Sequence, residues 1–427
     1  MTEERKKTAV VIGGGAAGMM AAIAIKESCG VGAEVILIER NSYLGAKVLL
    51  SGGGRCNVTT GIADARKLLE NYPRGAKFLM SAMFRFPPAK VMEWFESRGV
   101  PLKTENDLRV FPVSDEGAQI VGALERVLHN SGVKVMLNSA VSKVAREGEG
   151  FLLEMGSGQK ISADLLVITT GGVAYKQTGS SGDGFGFAES LGHTITPLAP
   201  SLGALEVKEP WIGELAGVSF EKAELTLTCS DEVKKYGRTG AFVFTHKGVS
   251  GPAVFALSAM AAHEVCSKES PMLLSINLFP EEDAQKLKMR LQKAIETNGK
   301  KKLFNFIDMF LPKSLCGVFV KELGLPEKMT AGNLNKEQRE AIQKKLQNFS
   351  LHVTGRGTGD EFVTAGGVDP DQINSGTMES KLCPGLYFAG EILDVDGFTG
   401  GFNLQAAWAT GRLAGESAAK KFLEALR

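Results

Sequence analysis

Residues 8–40 read TAVVIGGGAAGMMAAIAIKESCGVGAEVILIER, and the fold turns on how this stretch is parsed. Thr8 to Ile12 is a strand-length apolar run, Gly13, Gly15 and Gly18 fit G-x-G-x-x-G, and Ala16 to Ile25 continues in small and aliphatic residues of helical length. Glu34 to Ile38 is a second apolar strand, closed by Glu39 and Arg40. Each part has a physical role, with Gly13 for the turn, Gly15 for close approach of a pyrophosphate, Gly18 for helix against strand, and Glu39 for a ribose hydroxyl. A glycine-rich turn alone is common in α/β domains. With strand, helix and acid in register, the stretch predicts a parallel sheet with a dinucleotide site at the carboxyl ends of its strands.

Outward from there, NSYLGAKVLLSGGGRCNVTT at 41–60 sets Lys47, Ser51, Arg55 and Asn57 around Gly52, Gly53 and Gly54. Consecutive glycines let backbone N–H groups converge on an anion, and Lys47 or Arg55 adds charge; a flexible surface loop is the plain alternative. Cys56 reads as a packed, inert thiol. Leu165 to Ile168 is another apolar strand, ended by Thr169-Thr170-Gly171-Gly172. Far downstream, Leu386 to Ala389 runs into GEILDVDGFTGGFNLQAAWATGRLAG at 390–415, where Gly390 and Glu391 end a strand and Gly401-Phe402-Asn403 open a helix. The open N–H groups of such a first turn suit a ligand rich in hydroxyls and carbonyl oxygens.

At 427 residues and 44% hydrophobic content, the chain has material for two or three domains. Its net charge of +1 gives no electrostatic case for nucleic acid or an anionic membrane as principal partner, so a small molecule is expected. Six cysteines without C-x-x-C or His-rich spacing argue against zinc and disulfides, and a reducing cytoplasm is expected. Arg5-Lys6-Lys7 before an apolar run imitates a signal peptide, but the glycines in that run favour the nucleotide reading. Nothing else is long and apolar enough to span a bilayer.

Between the two halves, Asp64 to Asn130 reads as mainly helical, with one helix from Pro87-Pro88 and another from Ser114 or Asp115 to His129. Ala140 to Ile161 reads as a strand meander. Lys176 to Gly184 is either a mobile loop or a polar connection, leading into a short helix. Beyond Pro200 the style turns to β alternation, followed by a polar turn from Thr245 to Pro252 and a lysine-rich helical stretch from 281 to 348. Residues 195 to about 362 therefore read as an insertion.

Taken together, Gly13 to Gly18, Ser51 to Asn57, Thr245 to Pro252 and Gly390 to Gln405 resemble the YhiN/BaiN family of FAD-dependent oxidoreductases, over the full chain. The resemblance implies an α/β fold: a Rossmann-type FAD-binding domain (1–194 and 363–427) interrupted by a β-barrel substrate domain (195–280 with 350–362) that carries a helical subdomain (281–349). It implies FAD contacts from Gly13, Gly15, Ala16, Ala17, Gly18, Glu39 and Arg40, and from Lys47, Ser51, Gly52, Gly53, Arg55, Cys56 and Asn57. Ala140, Val141, Thr170, Gly171, Gly172, Gly390, Glu391, Gly401, Phe402 and Asn403 complete the set. No second strand, G-x-G-x-x-G and helix follows, and the repeats Gly182-x-Gly184-x-Gly186 and Gly355-x-Gly357-x-Gly359 lack the flanking elements. NADH or NADPH would then dock transiently at the flavin.

The BaiN-like branch implies hydride transfer to a conjugated C=C of a 3-oxo steroid or bile-acid intermediate, with His246 and Tyr175 as acid candidates. A second branch implies oxidation of a small amine such as aminoacetone with dioxygen. A flavin-containing RNA-binding or RNA-modifying protein is the reading from another class. It calls for a basic stripe, and the 281–348 lysines are interspersed with acids.

Overall fold

The computed structural model describes residues 7–326, 328–357 and 362–424; Arg5 and Lys6 of the basic leader, Gly359 of the second glycine repeat and residues 358–361 of the expected barrel return lie outside them. The chain divides into two compact units, Met1–Ser201 with Phe362–Arg427, and Leu202–Glu361.

The first unit is built on a five-stranded sheet in the order Leu386–Phe388, Leu165–Ile168, Lys7–Ile12, Ala33–Ile38, Lys134–Met136, every pairing parallel. A parallel sheet is covered on both faces, which is why its strands are unbroken apolar runs. Ala9, Val10 and Val11 are fully buried in the central strand. The helix Ala16–Cys29 is buried on every side from Ala16 to Ile25, so it shows no amphipathic stripe. Its cover is the closing helix Phe402–Glu424, where Gly411 and Gly415 are needed because a side chain at either would run into the Ala17 or Ala21 carbonyl. That near-contact accounts for the small-residue composition of both segments.

The meander is present as Val141–Glu147, Gly150–Met155 and Lys160–Ala163, an antiparallel crossover between the sheet's outer strand and Leu165–Ile168. Helices occupy Ala76–Arg85, Pro88–Glu96 and Ala118–Ser131. The last begins after the expected Ser114 or Asp115, because Asp115 is left-handed (φ 59°) and its carboxylate is held by Arg55 and Lys103. The insertion also begins later than residue 195. Ile195 bridges Val368 and Ala199–Ser201 pairs antiparallel with Val363–Ala365, which keeps both crossings inside the first unit.

The second unit is a closed six-stranded barrel, ordered Leu205–Val207, Gly248–Ser250, Lys235–Phe244, Ser219–Thr228, Met272–Asn277, Phe349–Arg356. Alternate residues fill it: Ala223, Leu225 and Leu227 meet Phe242, Phe244, Leu274, Ile276 and Leu351. Part of the expected polar turn at Thr245–Pro252 is thus a barrel strand, with Val249 paired to Leu205. The lysine-rich stretch forms the helices Ala284–Asn298, Leu303–Ile307, Lys313–Glu322 and Lys336–Gln347. Leu287, Leu291 and Ile295 recur every four residues as the buried stripe of the first, and its lysines are left to solvent.

Candidate functional site in the first unit

Because the five strands are parallel, their carboxyl ends lie on one edge, and the loops leaving them carry most of the expected site residues. The first loop is Gly13-Gly14-Gly15. Gly13 donates its N–H to the Ile38 carbonyl (2.8 Å), and a Cβ on Gly18 would overlap the Gly13 carbonyl. These two glycines answer to packing. Gly15 is different: a Cβ there would meet no atom within 4 Å, so packing within the chain does not require a glycine at this position.

Glu39 ends the neighbouring strand and is buried. Its carboxylate accepts from the Gly14 N–H (2.7 Å) and the Asn41 N–H (2.8 Å), which fixes both oxygens beside the glycine turn. A carboxylate offers about four acceptor directions, so a pair of vicinal hydroxyls can still be held. Ala140 and Val141 lie alongside, since Asn138 and Ser139 donate backbone N–H groups to the Asn41 and Glu39 carbonyls. Arg40 turns to the segment after Leu165–Ile168, bonding Ser181 and pairing with Asp183 at 2.8 Å.

Thr169 and Thr170 end the third of these strands. Thr169 Oγ1 donates toward the Ile12 and Gly13 carbonyls (2.8 and 3.0 Å), while Thr170 Oγ1 is buried with no hydrogen-bond partner. Gly171 is left-handed (φ 76°) and packs near Ser180; Gly172 is held tightly against Thr364. At the end of Leu386–Phe388, Gly390 donates to Thr410 Oγ1 (3.0 Å) in the closing helix. Glu391 pairs with Lys47 at 2.8 Å and accepts from the Thr364 N–H at 2.9 Å.

The closing helix begins beside these ends. Asn57, with its amide turned to satisfy both neighbours, donates to the Thr59 carbonyl (3.1 Å) and accepts from the Gly401 N–H (2.9 Å). Asn403 closes the preceding turn by bonding both backbone groups of Gly397 at 2.8 Å. The Phe402 carbonyl accepts from Tyr72, and its ring sits edge-on to the Tyr72 ring. The glycine loop is folded by Ser51, whose carbonyl takes the Cys56 N–H, with Gly52 and Gly53 both left-handed (φ 60° and 69°). Cys56 is fully buried, and burial pushes its thiol up to about 12. Arg55 is committed internally to Glu105 and Asp115, and its guanidinium stacks 3.8 Å over Phe111.

One buried charge pair has no signature in the sequence. Asp396, 1% exposed, accepts from Ser201 Oγ (2.6 Å) and pairs with Arg74. Burial raises its pKa above the ordinary carboxylate value, against the pull of Arg74. Residues 74, 201 and 396 are too far apart for spacing to join them.

Tyr175 is half-buried and left-handed (φ 57°), its ring 6.0 Å from that of Phe362. His246 belongs to the other unit, exposed on the turn between Lys235–Phe244 and Gly248–Ser250. Among the described residues no cluster of His, Cys, Asp and Glu could hold a metal ion, and no helix is long and apolar enough to cross a membrane.

The open space at Gly15, the fixed carboxylate of Glu39, the unpartnered Thr170 hydroxyl and the helix start at Phe402 fit a dinucleotide laid along the strand ends. The family model described as HI0933-like protein Rossmann domain matches residues 7–417. A 3-dehydro-bile acid delta(4,6)-reductase of Clostridium scindens is 31% identical over 95% of this chain and 97% of its own length. A ribosomal RNA dihydrouridine synthase of Escherichia coli is 30% identical over 89% of this chain and 90% of its own. The solved 3-ketosteroid-delta4-(5alpha)-dehydrogenase of Rhodococcus jostii is 16% identical with a TM-score of 0.48, covering 98% of each chain. The chain belongs to the HI0933-like Rossmann family of YhiN/BaiN-like flavoproteins, and it is a flavin-dependent oxidoreductase with a Rossmann-type FAD-binding fold.

Proposed function

We propose that this flavoprotein reduces a C=C bond conjugated to a carbonyl, with NADH or NADPH as donor and a 3-oxo steroid or bile-acid intermediate as substrate. The observation that carries the reaction type is shared by the two named relatives, a delta(4,6)-reductase and a dihydrouridine synthase. Both names describe hydrogen added across a C=C that chemistry places in conjugation with a carbonyl. The steroid reading is supported by the relative that matches 97% of its own length.

When bound, FAD would supply the hydride chemistry of such a reduction, leaving the protein to hold it and to place a proton source near the α-carbon. The chain's part is to hold and to polarise. In this reading Gly15 admits the pyrophosphate, Glu39 accepts from the adenosine ribose, and Thr170 Oγ1 finds its partner on the ligand. The first-turn N–H groups at Phe402 and Asn403 favour negative charge at the far end of the cofactor. Lys47, neutralised by Glu391, and Arg55, neutralised by Glu105 and Asp115, act in this reading by shaping the loop rather than as free cations. Tyr175 and His246 remain the proton-donor candidates, and the inserted unit the substrate domain; Y175F and H246Q would each lower the solvent-proton-dependent step if it is the donor.

A uridine in ribosomal RNA is the second reading, favoured by the two dihydrouridine synthases among the relatives. Against it, the net charge is +1, and Arg85, Arg98 and Arg412, around a cleft of about 630 Å³, are paired with Glu27 and Glu416. Anaerobic mixing decides. Protein bleached with NADH or NADPH is expected to regain its yellow colour on adding a 3-oxo-4,6-diene steroid and not on adding a ribosomal RNA transcript. Reoxidation by the transcript alone would transfer the assignment to RNA. Reoxidation only by air, with an amine as the reductant, would make the protein an oxidase.

A further inference from the structure

We infer that residues 170–183 form a clasp over the glycine turn, latched by Arg40, and that this clasp sets how fast FAD leaves; the inference rests on the FAD reading above. The strands Leu165–Ile168 and Ala33–Ile38 flank Lys7–Ile12 on opposite sides. The chain leaves the first at Thr169, which is tied to the Ile12 and Gly13 carbonyls. It next docks beyond the other strand. Asn41 Nδ2 donates to the Thr178 carbonyl (2.9 Å), and Arg40 bonds the Gly179 carbonyl (3.4 Å), Ser181 and Asp183 (2.8 Å). Between those anchors the backbone has to pass the end of the central strand, where Gly13 to Gly15 lie.

A middle support exists as well: Thr364 Oγ1 accepts from the N–H groups of Val173 (2.8 Å) and Ala174 (3.1 Å). Gly179 and Gly182, at φ 90° and 86°, let the chain reverse at the landing. The two ends differ in strength. The Thr169 and Thr364 attachments are buried, whereas the side chains of Arg40 and Asp183 are 39% and 43% exposed. Arg40 and Asp183 can therefore separate into water while the rest of the fold stays packed. Arg40 is a positioning residue in this scheme, acting on FAD through the segment it holds.

The test uses the full-length, FAD-loaded protein. R40A, D183N and S181A would be compared with wild type for the rate at which FAD fluorescence appears on dilution, and for equilibrium FAD affinity. An exposed pair of this kind supports a change on the order of fivefold. Release about fivefold faster in R40A and D183N is expected, with uptake faster in proportion, no further gain in the double variant, and quicker tryptic cleavage after Lys176. Release at the wild-type rate in every variant overturns the clasp. Faster release in R40A with unchanged uptake, and so weaker equilibrium binding, also overturns it, since Arg40 would then be a direct ligand. A wild-type chain that retains no FAD would overturn the FAD reading and the clasp together.

Discussion

Replacing Gly15 and Gly18 separately distinguishes a glycine kept for a ligand from one kept for the fold. Gly15 sits at φ −80° and ψ −169°, extended backbone that alanine adopts freely, and a Cβ there touches nothing within 4 Å. G15A should leave the FAD-free protein as stable as wild type, or raise it by up to about 0.5 kcal/mol through the unfolded chain. Gly18 is helical, so alanine would gain about 1 kcal/mol in propensity. Its Cβ, however, falls on the Gly13 carbonyl and on Thr169 Oγ1. A backbone carbonyl hydrogen-bonded by Thr169 cannot move aside as a side-chain tip can, and overpacking of that kind costs about 1–3 kcal/mol or more. The net is a loss of up to about 2 kcal/mol, read as a Tm lowered by up to roughly 8 °C for a domain of this size. FAD titration should show the opposite ranking, with G15A losing about tenfold or more in affinity because the added methyl fills the opening. Thermal melts of the FAD-free proteins and fluorescence titrations with FAD check both. An FAD-free G15A that melts as low as G18A, or a G15A that binds FAD like wild type, would refute the assignment of that space to the cofactor.

Three further outcomes follow from buried groups. R74M strands the Asp396 carboxylate in a site where it is 1% exposed and should cost about 3–5 kcal/mol in chemical denaturation, with R74M/D396N recovering a large part. His193 is buried against Phe388 and bonded to Ser380, and desolvation holds its pKa below 6.5. The unfolded chain is protonated there first, so the stability contributed by neutral His193 is whole above pH about 6.5 and is lost as pH falls; melts between about pH 7.5 and about pH 5 should slope less in H193N. Cys56, pushed up to about 12 and fully buried, should resist thiol reagents in the folded protein and react on unfolding.

The α/β frame is legible in the sequence because its signals are local. The run Thr8–Ile12, the spacing of Gly13, Gly15 and Gly18, and the acid at Glu39 each sit within one strand–helix–strand unit, and the parallel sheet with a closed barrel inserted in it is as the resemblance implies. What composition does not reveal is where charges go. Lys47 and Arg55 look available to an anion, yet their partners Glu391, Glu105 and Asp115 lie far along the chain, and only the fold brings them close. The helix Ala118–Ser131 starts later than its sequence suggests for the same reason, since Asp115 answers to Arg55 and Lys103 rather than to a helix. At 245–252, Gly and Ser disguise a barrel strand whose register is set by Leu205.

The pairing of the closing helix with the first has a consequence for biosynthesis. A ribosome delivers Gly13 to Glu39 well before the edge strand Leu386–Phe388 and the helix that seals Ala17 and Ala21. Until then Leu165–Ile168 presents an open, apolar flank, the kind of surface that draws chaperones and invites aggregation. Loading with the yellow cofactor is therefore expected only once Phe402–Glu424 has been made, and a chain cut before Phe402 should yield insoluble, colourless material.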